Sequence, residues 1–466
     1  MIQAREGAPV VAAALLLVAV GGVRQASGAA AKAPLNVPVS NARGPQSEVS
    51  IAVDPRDNGV LVAGSNSAAE RTTRAYGSTD GGATWGSIPG PPLPPGSPRR
   101  SSAADPTVAI DRNGRQYFAF LRLGKRRAVF VATRSGPGAR WTTPSRPISE
   151  PPQSAIEDKP MVAVDTSPTS PHQGRVHVAW VRRSTFSIRI LVSYSDDGGT
   201  TWSQVVAIND DDTLAEFPAL ATGPGGELYV AWAELTRIAA DSSADGGTSF
   251  GLDRQVAQVQ PASRTVCRLI PAQPANCMPH NPILSVDTSA GPRSGLVYVT
   301  FGNPTGAGVW DVYATAFDPK LRPLLPAPVR VHPADGPRPA DQFFPASAVD
   351  PVTGRLWVCY YDTRADRSRR RAAYTCTASA DGALEWTAAL RVASVASNES
   401  QPNANVRGYG DYEGLAVLGG VAHPVWTDSR RLRALQEEIY TAALEEARLP
   451  VPAAVSRRGD RPGTAT

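Results

Sequence analysis

Acidic residues recur at one place in a repeated pattern, immediately before a short apolar strand. Converging carboxylates raise one another's pKa, which sets a protonated acid beside a charged base or nucleophile, the pair that glycoside hydrolysis requires. The same oxygens suit a hard cation such as Ca²⁺. The alternative is that each acid only ends a loop between strands. The positions are Glu48, Asp105, Asp158, Glu216, His280 with Asn281, Asp341, and Asp411 with Tyr412 and Glu413.

A second set of polar residues lies two residues past the aromatic that ends the next strand. It includes Arg182, and it twice takes the form Asp-x-Arg, at residues 362–364 and 428–430. An arginine fork there would bind a substrate carboxylate with two parallel hydrogen bonds. The alternative is that Arg364 and Arg430 pair with the aspartate of their own hairpin. Residues 409–414 are the most unusual segment, because they set two phenols and two carboxylates between glycines.

These residues belong to a seven-fold pattern of two strands, one nearly all apolar and one alternating. We expect the first strand to be buried on both faces, near a central axis, and the second to be half-buried. With third and fourth strands added, each unit is a four-stranded antiparallel blade, and the chain is predicted to be an all-β propeller. Seven blades are favoured, and six is the alternative. Residues 35–40 form a lone strand that would close the ring and remove its open edges.

The repeat is marked by the string S-x-D-x-G-x-T-W at residues 78–85 and 195–202. Residues 243–250 keep the spacing with Phe in place of Trp, and residues 379–386 are a degraded copy. Asp accepts backbone N–H bonds within a tight turn, Gly takes a positive φ, and the Ser hydroxyl can form a hydrogen bond on the other side of the turn. The residues that build these turns are Ser78, Asp80, Gly82, Trp85, Ser195, Asp197, Gly199, Trp202, Ser243, Asp245, Gly247 and Phe250.

The string resembles the Asp-box, or BNR repeat, of the sialidase superfamily. In that family it joins strands three and four of a blade, on the face opposite the active site. The resemblance implies an exo-α-sialidase-like enzyme with a Tyr nucleophile assisted by Glu, an Asp acid–base and three substrate-binding Arg. By residue type and position the catalytic candidates are Tyr412, Glu413, Asp158, Asp341 and Asp411, and the substrate-binding candidates are Arg364, Arg430, Arg182 and Glu216. The family's Arg-Ile-Pro string has its nearest match in Arg43-Gly44-Pro45, which differs in the middle residue.

Composition narrows the class and the compartment. Residues 1–33 have the charge, apolar run and small residues of a secretory signal peptide, residues 34–448 form the propeller, and residues 449–466 read as a disordered tail. We therefore expect a secreted monomer with no stable membrane anchor. The net charge of +5 comes from scattered Arg without an aromatic platform, which argues against nucleic acid. The partner expected from the resemblance is a carbohydrate or glycoconjugate.

Four cysteines in an exported chain predict two disulfides, Cys267 with Cys277 and Cys359 with Cys376. For the second pair the alternative is two buried free thiols. The chain has no C-x-x-C or H-x-x-x-H spacing, so no cofactor and no transition-metal site are predicted. The acidic run at residues 210–212 is interpreted as a solvated loop, with Ca²⁺ as the alternative.

Two functional hypotheses remain, a sialidase-like glycoside hydrolase and a non-catalytic extracellular propeller that binds glycan or protein. Three arginines that converge on one carboxylate beside a Tyr–Glu pair would favour the hydrolase. Arginines that are each consumed by a local acid would favour the binding protein.

Overall fold

The computed structural model is a β-propeller of seven blades around one axis. It describes residues 35–449 apart from short gaps at 99, 145, 153, 212–213, 263–266, 306–307, 335–337, 402–403, 405–407 and 434–435. The predicted signal peptide, Asp212 and the predicted tail beyond Leu449 lie outside the described residues. No helix in the described part of the chain is long and apolar enough to cross a membrane.

In blades one to six the strands follow one another in the sheet in sequence order, and the pairings between these strands are antiparallel. In blades one to four they are Gln46–Asp54, Asp57–Ser67, Thr72–Ser78 and Gly86–Pro89; Ser102–Ile110, Gln116–Leu123 and Ala128–Arg134; Ala155–Val164, Val176–Ser184, Ile188–Ser195 and Val206–Ala207; Glu216–Thr222, Leu228–Ala233, Arg237–Ser243 and Arg254–Gln258. Blade two has three strands, and a single bridge from Val129 to Ser149 stands where a fourth would pair.

Blades five and six keep this order, and in blade seven only the first three strands do. Their strands are Ile283–Val286, Val297–Pro304, Trp310–Phe317 and Val329–Arg330; Gln342–Val349, Leu356–Asp362, Ala373–Ser379 and Leu390–Arg391; Gly414–Leu418, Val421–Asp428, Glu438–Thr441 and Leu444–Glu445. The last of these pairs with the start of Val421–Asp428, and a short 3₁₀ helix, Glu446–Arg448, follows it.

The ring is closed by the N-terminal strand, as predicted. Val37–Pro38 pairs antiparallel with Glu438–Thr441, where Val37 lies opposite Thr441. The chain start therefore supplies the outer strand of blade seven, and Ser40 Oγ donates to Glu438 Oε2 at 2.6 Å. Because the fourth strand comes from the other end of the chain, opening the ring would expose two sheet edges at once.

All four Ser/Asp/Gly strings connect third to fourth strands, as predicted. In the first, Asp80 Oδ1 accepts from Ser78 Oγ at 2.8 Å and from the backbone N of Thr84 at 2.9 Å. The pKa of Asp80 is lowered to about 2, most of all by the hydrogen bond from the Thr84 hydroxyl and then by these bonds. The turns satisfy their own polar groups. Because the strands of a blade alternate in direction, these turns lie on one face of the ring and the loops after the second strands lie on the other face.

The burial of the first and second strands differs from the prediction. Leu228–Ala233 and Leu356–Asp362, both second strands, are buried along their whole length because neighbouring blades pack on both of their faces. First strands are buried over most of their length, but in Gln46–Asp54 the residues Ser50, Ala52 and Val53 are only partly buried, and Ser50 lines the axial cavity. Small hydroxyl residues lie where these strands crowd together, and the Ser285 and Ser347 hydroxyls are 3.0 Å apart.

Both predicted disulfides are present. Cys359 and Cys376 lie opposite each other on the second and third strands of blade six. Cys267 and Cys277 are bonded within the connection between blades four and five. We call this connection, residues 259–282, the disulfide loop.

Candidate functional site

The axial mouth is lined by residues from bulges in the first strands. In blades one, two, three, four and six the pairing with the second strand slips by a residue. A bulge re-aims a side chain out of the regular alternation. One non-glycine residue per blade, in the first six blades, takes a positive φ at this point: Glu48, Asp105, Lys159, Phe217, Asn281 and Phe344.

This ring corrects the alignment made from sequence. The predicted positions Glu48, Asp105 and Asn281 hold, but in blades three, four and six the equivalent residues are Lys159, Phe217 and Phe344. Five of the six are followed by proline, so the X-Pro step was the signal that could have aligned them. The predicted ring residues also lie within the bulged first strands in blades one to four, and not before them.

Lys159 is the central cation of the mouth. Its Nζ lies 2.6 Å from Asp411 Oδ2 of blade seven and 4.6 Å from the centre of the Phe217 ring. Lys159 is only 1% exposed. Burial lowers its pKa, but the surrounding carboxylates outweigh burial and the pKa is raised overall. The carboxylates that raise it are those of Asp411, Glu48, Asp105 and Asp158.

The acids next to Lys159 are themselves engaged. Glu48 Oε2 accepts from Asn66 Nδ2 at 2.5 Å, and the backbone N of Asp105 donates to Asn66 Oδ1 at 2.9 Å. Burial raises the pKa of Asp105, and the charge of Asp158 raises it further. The mouth is therefore a buried network of hydrogen bonds and ion pairs that spans blades one, two, three and seven.

The disulfide loop covers this network. Asn276 Nδ2 donates to Asp411 Oδ1 at 3.1 Å, and Asn281 Nδ2 donates to the Asp411 carbonyl at 3.0 Å. Gln273 donates to the Gly410 carbonyl and accepts from the backbone N of Tyr409. Gly410 has φ +88°, and a Cβ there would lie 2.6 Å from Glu48 Cγ, so glycine is favoured at this contact with blade one. Sequence reasoning missed Gln273 and Asn276, because loop residues outside the repeat carry no pattern.

Tyr412 and Glu413 are neighbours in sequence, but their functional groups do not meet. Tyr412 is 4% exposed, and its hydroxyl donates to the Pro106 carbonyl at 3.3 Å. Burial raises the pKa of Tyr412 well above its ordinary value, and the charges of Glu48 and Asp105 raise it further. Its phenol is thus neutral at physiological pH and held by a backbone oxygen.

Glu413 contacts Tyr361 of blade six. Tyr361 Oη is 2.6 Å from Glu413 Oε1 and 2.7 Å from the Thr427 carbonyl. Burial raises the pKa of Glu413 to about 8. A protonated Glu413 accounts for both short contacts, because the acid donates to the phenol oxygen and the phenol proton goes to the Thr427 carbonyl. Tyr361 is fully buried, its ring centre lies 4.2 Å from that of Tyr409 with the rings tilted by 44°, and it was not predicted from sequence.

The remaining predicted acids form ion pairs. Arg369 donates to both oxygens of Asp341, at 2.6 and 2.8 Å. Arg183 bridges Asp158 and Glu216, and its Nη2 lies 3.1 Å from Glu216 Oε1. Asp158 also pairs with Arg127 at 3.4 Å.

The three predicted substrate arginines are paired locally as well. Arg364 pairs with Asp362 at 2.7 Å, and Arg430 pairs with Asp428 at 2.7 Å. Arg182 pairs at 2.6 Å with Glu157, which is fully buried in the same blade. The structure thus places each arginine beside an acid of its own blade, in three different blades, and does not bring the three together.

Beneath the mouth the axis holds a cavity of about 230 Å³. The first strands of all seven blades line it, mostly with apolar groups and with the hydroxyls of Ser50, Thr107 and Ser347. Glu413 and Tyr412 contribute to one wall.

One acidic cluster could hold a cation on geometry alone. Oxygens of Asp211, Glu234 and Asp253 lie within 4.8 Å of one another. Arg237 already supplies positive charge there, at 2.5 Å from Glu234 and 3.5 Å from Asp211. Burial raises the pKa of Asp253 to about 6, which further weakens it as a Ca²⁺ ligand.

The fold and this site define a seven-bladed propeller with a closed, charge-paired axial mouth. No protein-family model matches the chain, and no curated protein is significantly similar to it. Solved structures similar to it include an ulvan lyase described as a new family of polysaccharide lyase, with TM-score 0.47, 11% identity, and coverage of 88% of this chain and 96% of that one.

Sialidases are also among its structural neighbours. The leech intramolecular trans-sialidase gives a TM-score of 0.45 at 13% identity, covering 74% of this chain and 69% of that chain. The Trypanosoma rangeli sialidase gives 0.42 at 13% identity, covering 69% and 53%. At these values the likeness carries no information about activity.

Proposed function

We propose that this chain is an exported propeller that binds a carbohydrate or glycoconjugate and does not hydrolyse it. The observation that carries the proposal is the local pairing of the arginines. Hydrolysis of a sialoside would need three guanidinium groups directed at one carboxylate, whereas Arg182, Arg364 and Arg430 each face an acid of their own hairpin or blade.

The state of the tyrosines supports the same conclusion. A nucleophilic phenol needs a base that takes its proton and a path to the sugar. The Tyr412 hydroxyl is bonded to a carbonyl, and Tyr361, which does contact a glutamate, is fully buried with that glutamate protonated near neutral pH. Neither arrangement presents an activated oxygen to solvent.

The carbohydrate class and the compartment rest on separate arguments. The four Ser/Asp/Gly strings resemble those of a glycan-active superfamily, which supports a glycan ligand. The predicted signal peptide and the two disulfides support export, because structural disulfides persist in oxidising compartments.

Two measurements on the purified full chain test the proposal. We expect binding on a glycan array, and no release of 4-methylumbelliferone from a panel of glycosides that includes the sialoside. Turnover that is lost in Tyr412→Phe or Tyr361→Phe, and kept in Tyr229→Phe as a control distant from the mouth, would establish the hydrolase in its place.

A further inference from the structure

The most unusual charged surface of the described chain lies away from the axis, between blades six and seven. A cleft of about 750 Å³ opens there on the face opposite the Ser/Asp/Gly turns. Five arginines line it, Arg371, Arg391, Arg430, Arg431 and Arg433. We call this the basic cleft. Its described lining contains no acid and no aromatic ring.

The five arginines come from corresponding hairpins and from the strand between them. Arg371 lies in the loop between the second and third strands of blade six, and three others lie in the same loop of blade seven. Arg391 ends the outer strand of blade six. Because adjacent blades repeat the same loop, their cationic side chains face one cleft from both sides.

Arg430 lines the cleft in a fixed position, and we call it the fixed wall. It binds both oxygens of Asp428, stacks 4.0 Å from the Tyr440 ring, and donates to Asn36 Oδ1 at 3.0 Å. Its charge is therefore balanced and its position is set by the closure of the ring.

The other four guanidinium groups form no ion pair with any described residue. Arg391 donates to the carbonyls of Ala393 and Ser394, and Arg431 donates to the amide oxygen of Asn41. Those partners are neutral, so they orient the side chains without cancelling their charge. Arg371 and Arg433 are exposed. Four cations without an ion pair among the described residues line one open cleft, and such a concentration of like charge attracts anions.

The geometry points to an anionic polysaccharide as the ligand, bound through sulfate or carboxylate groups. This inference rests on the proposed carbohydrate-binding function and names the class of glycan. An arginine fork can bond to two oxygens of a carboxylate or a sulfate at once, and the volume is in the range of small-ligand sites, large enough for one or two sugar rings. Gln401 and Asn398 also line the cleft, and their amide groups are neutral hydrogen-bonding groups that suit sugar hydroxyls. The absence of aromatic rings among the described lining residues disfavours nucleic acid, whose bases stack on them.

The test is titration calorimetry on the full chain with three size-matched oligosaccharides: a heparin-derived one, an oligogalacturonate and a neutral malto-oligosaccharide. The test variant is Arg371→Gln, Arg431→Gln and Arg433→Gln together. The control variant is Arg112→Gln, Arg126→Gln and Arg140→Gln, three exposed arginines of blade two with the same change in net charge. Thermal unfolding checks that both variants fold.

We expect wild type to bind the sulfated or the carboxylated oligosaccharide, and the one that binds identifies the anion. The cleft variant should lose about tenfold or more in affinity and show a weaker salt dependence, and the control variant should lose less than about twofold. Equal losses in both variants, or no loss in the cleft variant, would overturn the inference. So would binding of a poly-dT oligonucleotide that depends on the same arginines when no oligosaccharide binds.

The outcomes separate this inference from the proposed function. Binding of the neutral oligosaccharide alone, unchanged in the cleft variant, would leave a carbohydrate-binding propeller and remove the basic cleft as its site. Turnover of an anionic glycan that still depends on the cleft would keep the cleft and remove the non-catalytic assignment.

Discussion

The axial mouth and the basic cleft lie on the same face of the propeller, and both are rich in charge. At the mouth Lys159 and the acids around it are buried and paired, under a loop that belongs to blades four and five. In the cleft, four arginines have neutral hydrogen-bond partners or no ion pair among the described residues, and they line an open cavity. The difference indicates that charge at the mouth holds the ring together, whereas charge in the cleft is left for a ligand.

The residue types at the mouth explain why the sequence suggests a catalytic site there. Carboxylates at a propeller axis suggest catalysis, but Asp341 and Asp158 each form an ion pair with an arginine of a nearby loop or strand. A buried acid that is already paired has no capacity left for a substrate unless the pair breaks. Unpaired charge, more than charge itself, distinguishes a binding surface from a structural one.

The largest expected effect is at the mouth. Lys159→Met should lower the free energy of unfolding by about 3–5 kcal/mol, because removing the cation leaves Asp411 and its neighbours buried without their partner. Urea unfolding measures the change. Arg431→Met, which removes a cleft cation, is the matched control and should cost less than about 0.5 kcal/mol. Equal losses in the two variants would erase the distinction between the regions.

The second effect concerns pH. Burial gives folded Glu413 a pKa of about 8, against about 4.3 in the unfolded chain. The folded state therefore holds an extra proton between these values, so this contribution to stability is complete below about pH 4.3 and is lost as the pH rises to about 8. Between pH 5 and 8 the loss should be about 2–4 kcal/mol.

Glu413→Gln should flatten that slope, because the amide keeps a donor for Tyr361 without titrating. Denaturant unfolding at a series of pH values gives the answer, with the cleft variant as the control that keeps the wild-type slope. An unchanged slope in Glu413→Gln would mean that this carboxyl does not hold its proton.

The third effect is the removal of the loop that covers the mouth. Cys267→Ser with Cys277→Ser should cost about 2–3 kcal/mol, through the greater freedom of the unfolded loop. Amide hydrogen exchange should accelerate at Tyr409, whose N–H donates to Gln273 in that loop. Anionic ligand affinity at the cleft should stay within about twofold. A large fall in affinity would show that the two regions are coupled.

The smallest effect is expected in the cleft itself. Arg371→Gln and Arg433→Gln should each change stability by less than about 0.5 kcal/mol, since neither guanidinium has a charged partner among the described residues. Arg430→Gln should cost about 1–3 kcal/mol, because it breaks a bidentate pair with a buried aspartate. Thermal unfolding of the three variants distinguishes them, and equal shifts would contradict the division between the fixed wall and the free cations.

Much of the fold could be predicted from repeated local patterns. The Ser/Asp/Gly strings give the hairpins, since Asp80 and Ser78 close the turn within a few residues. The strand at residues 35–40 was predicted to close the ring because blade seven lacked a partner, and it does. The prediction that the second strands are half-buried was wrong, because amphipathic alternation does not reveal that blades pack on both sides of the second strand.

The site was less predictable than the fold. Asp158 was aligned with Asp105, whereas Lys159 takes that position, and the residue that decides the chemistry of the mouth was missed by one place. Tyr412 and Glu413 are adjacent in the chain and directly precede the first strand of blade seven, yet the Tyr412 hydroxyl bonds to Pro106 and the Glu413 carboxyl contacts Tyr361 of blade six.

The sequence by itself determined the seven repeats, the turns, the cysteine pairs and the closure of the ring, because each depends on residues close in the chain or on a pattern repeated along it. Only the tertiary structure decided which charges are neutralised. Pairing depends on distances of a few ångströms between side chains such as Lys159 and Asp411, 252 positions apart, which no local pattern encodes. The same reason hides the basic cleft, since its arginines become a single surface only when blades six and seven stand side by side.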